Sequence, residues 1–324
     1  MLLLPSGVQP PTLRGTVGRR VLVASPRSFC AGVVRAIDIV EKLLDQHGPP
    51  VYVRHEIVHN VHVVRDLEAR GAVFVNSEED VPEGELVVLS AHGVAPRVYE
   101  KCRERGLRVV DAVCPLVSKV HAEARRYAAR GYKIALVGHA GHVEVEGTMG
   151  EAPDSILLVE TPEDARGLEI EEGRPLAYLT QTTLSLDDTS EVVDALRENV
   201  PELVGPPSAD ICYATQNRQD AVKKICEEAS LVLVVGSKTS SNANRLIEVA
   251  HSRGADAYLI DDETDLKLTW LEGHDTVGLT AGASSPEVLV DRVIARLAEL
   301  GYDEREDVEI AREDVFFRLP PELR

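Results

Sequence analysis

The chemistry open to this chain is concentrated in five cysteines, at positions 30, 102, 114, 212 and 226. An odd number in a long chain argues against a disulfide framework. No pair has the Cys-x-x-Cys spacing of zinc knuckles or thioredoxin-like sites. Three of the five share a setting. Val21-Leu22-Val23-Ala24-Ser25 leads to Cys30, Leu107-Arg108-Val109-Val110-Asp111 to Cys114, and Ser208-Ala209-Asp210-Ile211 to Cys212. Apolar residues then recur at helical spacing: Val33, Ile37, Val40 and Leu44 in the first case, Val117, Val120, Ala124 and Tyr127 in the second, Ala221, Val222, Ile225 and Ala229 in the third. The pattern predicts three strand–cysteine–helix junctions. A thiolate at a helix N-terminus is stabilised by the positive end of the helix dipole and by free backbone N–H groups. That suits an iron ligand, and three such ligands leave one metal coordination position open for substrate. A single buried cysteine is more often a small core residue; three at equivalent junctions favour a metal centre. Cys102 and Cys226 fall within helical patterns among charges and read as packing residues.

Histidines give a parallel signal. His59-Asn60, His92-Gly93 and His139-Ala140-Gly141-His142 fall in polar turns. His92 and His139 lie at strand ends, where an imidazole donates hydrogen bonds to a phosphate or a leaving hydroxyl. His47, His62, His121, His251 and His274 read as ordinary surface or core residues. Two turns rich in hydroxyl and amide donors, Gly236-Ser237-Lys238-Thr239-Ser240-Ser241-Asn242 and Thr280-Ala281-Gly282-Ala283-Ser284-Ser285-Pro286, each follow an apolar strand and open a helix. They have the form of an anion cradle. Neither matches the Walker A or Gly-x-Gly-x-x-Gly pattern, which favours a small phosphate ester over a nucleotide. Taken singly, such turns are also plain N-caps. Glu144, two residues past His142, sits where a raised pKa would suit proton donation. Spacing alone does not choose between Glu144 and Glu146.

These residues need elements to position them. From Arg19 onward, runs such as Leu86–Leu89, Ile134–Val137, Leu231–Val235 and Thr276–Leu279 alternate with amphipathic helical patterns. Strands apolar throughout that alternate with helices predict parallel sheets covered on both faces. With 324 residues, two or three domains are expected, and the spacing of the cysteine junctions suggests three small α/β domains. Sites in such sheets lie at the carboxyl ends of strands. Three domains meeting there would bring the sulfurs together. The boundaries expected are an N-terminal extension over 1–18, α/β domains over 19–113, 114–210 and 211–302, and a tail over 303–324 packing back on the core. The net charge of −19 disfavours nucleic acid and anionic membrane surfaces as partners. The apolar run Met1–Leu4 stops at Pro5, too short for a signal-peptide core. No segment approaches the roughly 18 apolar residues of a membrane span. A cytoplasmic location is expected.

The motifs around these residues are long. They include Pro26-Arg27-Ser28-Phe29-Cys30-Ala31-Gly32-Val33, His55-Glu56-Ile57-Val58-His59-Asn60, Ser90-Ala91-His92-Gly93-Val94, Asp111-Ala112-Val113-Cys114-Pro115, Gly138-His139-Ala140-Gly141-His142-Val143-Glu144-Val145-Glu146-Gly147, Thr180-Gln181-Thr182-Thr183 and Asp210-Ile211-Cys212-Tyr213-Ala214-Thr215-Gln216. Together they resemble the LytB family, the 4-hydroxy-3-methylbut-2-enyl diphosphate reductases of the non-mevalonate isoprenoid route, from about Arg19 to Leu300. The resemblance implies a trefoil of three α/β domains around one 4Fe–4S cluster per subunit, held by Cys30, Cys114 and Cys212. It implies that His59, His92, His142, Ser240, Ser241, Asn242 and Ser284 hold the diphosphate. Glu144 would supply the proton for water loss and Thr182 would orient the hydroxyl. Two electrons, from ferredoxin or flavodoxin, would yield isopentenyl and dimethylallyl diphosphates. Ser28 stands where the family often has Gly, and Val143 where it often has Pro or another residue; both flank the site without being ligands. Two rivals use the same residues: a non-redox iron–sulfur hydro-lyase that needs no reductant, and a phosphometabolite-binding protein whose cysteines are core residues.

Overall fold

The chain forms twelve strands, all of whose pairings are parallel, among the described residues, 18–171 and 173–323 of a computed structural model. Residues 1–17 of the expected N-terminal extension lie outside those described. Strand β1 (Arg19–Ser25) is followed by α1 (Ala31–His47), β2 (Val51–Arg54), α2 (Val61–Ala69), β3 (Ala72–Val75), β4 (Leu86–Leu89), α3 (Pro96–Glu104) and β5 (Arg108–Asp111). Next come α4 (Pro115–Ala129), β6 (Lys133–Val137), α5 (Val143–Met149), β7 (Ile156–Val159), α6 (Pro162–Gly167), β8 (Leu176–Thr180) and α7 (Leu186–Asn199). The last stretch holds α8 (Tyr213–Ile225), β9 (Leu231–Val235), α9 (Ser241–Ser252), β10 (Asp256–Ile260), β11 (Thr276–Ala281), α10 (Glu287–Glu299) and β12 (Tyr302–Glu309). The strands build three sheets, ordered β10-β9-β11-β1-β12, β3-β2-β4-β5 and β7-β6-β8. No helix among the described residues is long and apolar enough to cross a membrane.

Two of the expected boundaries do not follow the sheets. β1 was expected in the first α/β unit, but it pairs with β11 and β12 of the third. Its four central residues are apolar and need cover on both faces. That sheet supplies it: Val21 and Val23 join the core under α10, while Leu22 and Ala24 join the core under α8 and α9. Residues 302–309 of the expected tail are likewise strand, β12, closing the open side of β1. Its sequence, Tyr302-Asp303-Glu304-Arg305-Glu306-Asp307-Val308-Glu309, is nearly all charge, which suits a solvent-facing sheet edge.

The sheets explain where the cysteines fall. Cys30 stands between β1 of the five-stranded sheet and α1, whose buried face (Ala36, Ile39, Val40, Leu43) packs with Val51 and Val53 of β2. Cys114 stands between β5 and α4, whose Val120, Ala124 and Tyr127 pack with Ile134 and Leu136 of β6. Cys212 precedes α8, whose Ala221, Val222 and Ile225 pack with Val232 and Val234 of β9. Each cysteine therefore marks the step at which the chain leaves one sheet and begins covering the next. We propose domain boundaries at these three residues, with 302–323 counted in the third unit.

The third junction differs from its expected form: Ser208–Ile211 is not a strand. Pro201, Pro206 and Pro207 lack the N–H that a ladder requires, and only the isolated bridge Ala177↔Val204 forms. Side chains hold the segment instead. Lys119 Nζ donates to the Ser208 and Ala209 carbonyls at 2.8 and 2.9 Å and pairs with Asp210 Oδ1 at 3.1 Å; the Thr180 amide donates to Asp210 Oδ2 at 3.1 Å.

If β12 is integral to the fold, a chain ending at Gly301 exposes the length of β1 and loses the buried Tyr302 ring. Its melting temperature should fall by roughly 10 °C or more, or the protein should aggregate. An unchanged melting temperature would show residues 302–324 to be a dispensable tail.

Candidate active site

Cys30, Cys114 and Cys212 cap α1, α4 and α8 and line one cavity of about 110 Å³. The same backbone bond fixes each of them. The Cys30 amide donates to Ala283 O at 3.2 Å, the Cys114 amide to Ala91 O at 3.0 Å, and the Cys212 amide to Thr182 O at 3.0 Å. Each acceptor lies two residues past the end of a strand: β11, β4 and β8 respectively. Three cysteines and three strand ends thus converge on one space. Gly32 makes room for them, since a Cβ there would sit 2.8 Å from Cys114 Sγ and 3.8 Å from Cys30 Sγ.

The helix ends alone do not make thiolates of Cys114 and Cys212, contrary to the expectation from sequence. Burial pushes Cys114 up to about 12 and Cys212 up to about 11, and neighbouring thiolate charge works the same way. The opposing helix amides, Leu116 and Val117 at Cys114 and Thr215 at Cys212, are too weak to offset it. A cation must displace these protons, so metal binding releases them. Among the described residues no three His, Cys, Asp or Glu side chains converge tightly enough to hold one metal ion. Three soft thiols spread around a cavity fit a multi-iron cluster instead.

The rest of the cavity is polar on one side. His59 stacks on His92 with centroids 4.0 Å apart, and His142 lies 5.8 and 6.3 Å from them. Burial first, then the charge of the neighbouring histidines, holds His92 well below the usual histidine range and lowers His142 to about 4. In the same cavity, Ser240 Oγ accepts from the Ala243 amide at 3.3 Å and so caps α9. Asn242 accepts from the Ala283 amide at 2.8 Å, and Ser284 Oγ donates to His59 O at 2.9 Å. Ser241 accepts from Thr183 Oγ1 at 3.0 Å. These groups present N–H and O–H donors at a helix N-terminus, and no Lys or Arg lines the cavity among the described residues. Val33, Val58, Ala91, Leu116 and Val117 form the apolar side.

Glu144 lines the same cavity. It is 3% exposed, whereas Glu146 on the same helix faces solvent, so only Glu144 is buried against the cavity. The Thr182 amide donates to Glu144 Oε1 at 2.6 Å and the Thr182 hydroxyl to Oε2 at 3.0 Å. Burial raises its pKa to about 7 against the opposing pull of both Thr182 bonds. The carboxyl is thus shared between acid and base forms at neutral pH.

The match to the LytB protein family model spans residues 21–298. The chain belongs to the LytB family. It is 58% identical to the 4-hydroxy-3-methylbut-2-enyl diphosphate reductase of Acidothermus cellulolyticus over 94% of this chain and 90% of that protein. The corresponding protein of Streptomyces coelicolor is 56% identical over 95% of this chain and 91% of its own length. Among solved structures, the E-1-hydroxy-2-methyl-but-2-enyl-4-diphosphate reductase from Plasmodium falciparum superposes with a TM-score of 0.92 at 39% identity, covering 94% and 97% of the two chains.

For this LytB chain, every residue that the family resemblance implied as ligand, anion holder or acid lines this cavity. His139 does not: its Nε2 meets Arg245 at a separate cleft. Three contributors were missed. Thr215 lies at the third helical position after Cys212, where its amide and hydroxyl meet Sγ at 3.3 and 3.0 Å; the Cys-x-x-Thr spacing is that of a capping box. Thr183 reaches Ser241. His121, read as ordinary, is buried near Glu144 and tied to Glu151 Oε1 at 2.8 Å. Its place seven residues past Cys114, on the face of Val117, was the available signal.

Gly32→Ala should favour the helix yet crowd the sulfurs. After anaerobic reconstitution, iron retention should weaken roughly tenfold or more with the circular dichroism unchanged. Iron held as tightly as in the unaltered chain would mean the thiols do not share one centre.

Proposed function

We propose that this chain is a cytoplasmic iron–sulfur reductase that converts 4-hydroxy-3-methylbut-2-enyl diphosphate to isopentenyl and dimethylallyl diphosphate, the last step of the non-mevalonate route. The observation that carries the reading is the placement of a buried carboxyl, Glu144, in one cavity with three junction cysteines and a cluster of anion donors. Cys30, Cys114 and Cys212 would hold a 4Fe–4S cluster. When bound, such a cluster supplies electrons one at a time and a coordination position that no cysteine fills. A carrier of the ferredoxin or flavodoxin type would deliver them.

The chain's own residues account for the rest. Ser240, Ser241, Asn242 and Ser284, with His59, His92 and His142, hold the diphosphate through hydroxyl, amide and imidazole donors. A cavity without fixed cations binds an anion through such donors and the α9 N-terminus. His92 and His142 are neutral in the free protein, and a bound diphosphate raises their proton affinity. The apolar wall covers the five-carbon chain and excludes water. The C–O bond breaks as the oxygen leaves, and with two electrons and two protons the products are the reduced hydrocarbon diphosphate and water. Glu144 gives a proton to the departing oxygen. Thr182 holds the carboxyl in place and orients the hydroxyl.

The requirement for external electrons separates this reading from a hydro-lyase, and turnover separates it from a binding protein. An anaerobic assay with the diphosphate substrate and dithionite-reduced viologen should show turnover only with reductant. In that assay Glu144→Gln should keep iron and substrate binding while kcat falls roughly 10²-fold or more; Glu146→Gln should match the unaltered chain. The acid form is needed, so kcat/KM should decline as pH rises through about 7. Substrate charge raises the pKa further, moving the corresponding fall in kcat to higher pH. Loss of activity in Glu146→Gln, or normal turnover in both variants, would remove Glu144 from its role.

A further inference from the structure

Arg218 has 0% exposure, making it the largest fully buried side chain among the described residues, and the reading above gives it no part. It lies on α8, six positions after Cys212. Its Nε and Nη2 donate to Ser28 O at 3.2 and 2.7 Å, and Nη2 also reaches Arg27 O at 3.3 Å. Nη1 donates to Ala214 O at 2.9 Å, within its own helix, and to Glu313 Oε1 and Oε2 at 3.0 and 3.3 Å. Asn217 Nδ2 donates to the same Glu313 Oε1 at 3.0 Å. One guanidinium therefore joins the loop that delivers Cys30, the helix that Cys212 opens, and the chain beyond β12.

The loop needs such a hold. Ser28 has φ of +59°, the left-handed region that a serine adopts only under constraint. Its side chain is tied to Glu287 Oε2 at 2.6 Å, and its carbonyl to Arg218. Glu313 is the only carboxylate within ion-pair distance of the guanidinium among the described residues. A buried cation that loses its counter-ion pulls toward water and takes its carbonyl partners with it. Residues 310–320 form no helix or strand, but the segment is anchored at both ends: the Ile310 amide donates to Ser25 O at 3.0 Å, and Leu323 is buried against α1.

We infer that Glu313 and Arg218 form a positioning clasp, by which the C-terminal segment fixes the Cys30 loop against the Cys212 helix and so sets the spacing of two metal-ligating thiols. The inference rests on the assignment of those cysteines as ligands. Neither clasp residue touches substrate.

The test compares Glu313→Gln with the double variant Arg218→Met/Glu313→Leu. The double variant replaces the ion pair with apolar groups, a change that often preserves stability, but it cannot hold the Ser28 carbonyl. Two readouts are needed. In the iron-loaded full-length protein, release to a chelator should be roughly tenfold faster or more in both variants. In the metal-free full-length protein, iodoacetamide labelling followed by peptide mass spectrometry should show Cys30 alkylated roughly tenfold faster, with the fully buried Cys102 unchanged. A parallel rise at Cys102 means general loosening and overturns the clasp, as does a double variant that retains iron and shields Cys30 like the unaltered chain. A chain that takes up no iron at all overturns the ligand assignment itself, whereas equal Cys30 labelling in all three proteins overturns the clasp alone.

Discussion

The site depends on three backbone hydrogen bonds, from the amides of Cys30, Cys114 and Cys212 to carbonyls two residues beyond the ends of β11, β4 and β8. Each is an ordinary amide–carbonyl bond with a net worth of about 1 kcal/mol. Their effect is geometric. Each of the three cysteines is at once the last residue held by the sheet it leaves and the cap of the helix that covers the next sheet. The three sheets cannot separate without moving the sulfurs, and the sulfurs cannot move without disturbing a helix start. The ends of parallel strands, where open α/β folds place their ligands, become one centre because the chain passes through it three times.

A single electrostatic condition governs the chemistry at that centre. Among the described residues the cavity wall carries no lysine or arginine, and burial is the largest influence on Cys114, Cys212, His92, His142 and Glu144. It raises the thiols of Cys114 and Cys212, raises Glu144 to about 7 and lowers His142 to about 4. In the free protein Cys114 and Cys212 are therefore thiols, and His92 and His142 neutral imidazoles. Iron brings positive charge that favours the thiolates, and a diphosphate brings negative charge that favours protonated imidazole and carboxyl. The two partners shift the protein's protons in opposite directions, and Glu144 stands where both act. An acid poised near neutrality is the form best suited to proton transfer at working pH.

Much of this was legible in the sequence. Runs such as Leu231–Val235 are apolar at every position, and that alone implies parallel sheets covered on both faces. The cysteine junctions followed from strand-then-helix periodicity and the donor-rich turns from their composition, whereas the full set of cavity residues, Thr182 among them, came from the family resemblance. Three features were not legible. Which sheet β1 joins is a long-range choice: Val21-Leu22-Val23-Ala24 fits either neighbour, and only the cores under α8 and α10 decide it. The segment before Cys212 looked like a strand because Ala209 and Ile211 alternate with polar residues, yet its upstream prolines and the grip of Lys119 make it a loop. Glu144 and Glu146 are equivalent by composition; a helix that turns by 100° per residue puts them on different faces, and the orientation of α5 selects one.

The account's central claim is that three junction cysteines hold one cluster and leave a single iron without a protein ligand beside Glu144. Mössbauer spectroscopy of the reconstituted chain, recorded with and without the diphosphate substrate, tests it directly. The account predicts one iron site distinct from three thiolate-bound sites, with substrate shifting that site alone. Four equivalent irons, or a substrate-induced change spread equally over all of them, would contradict it.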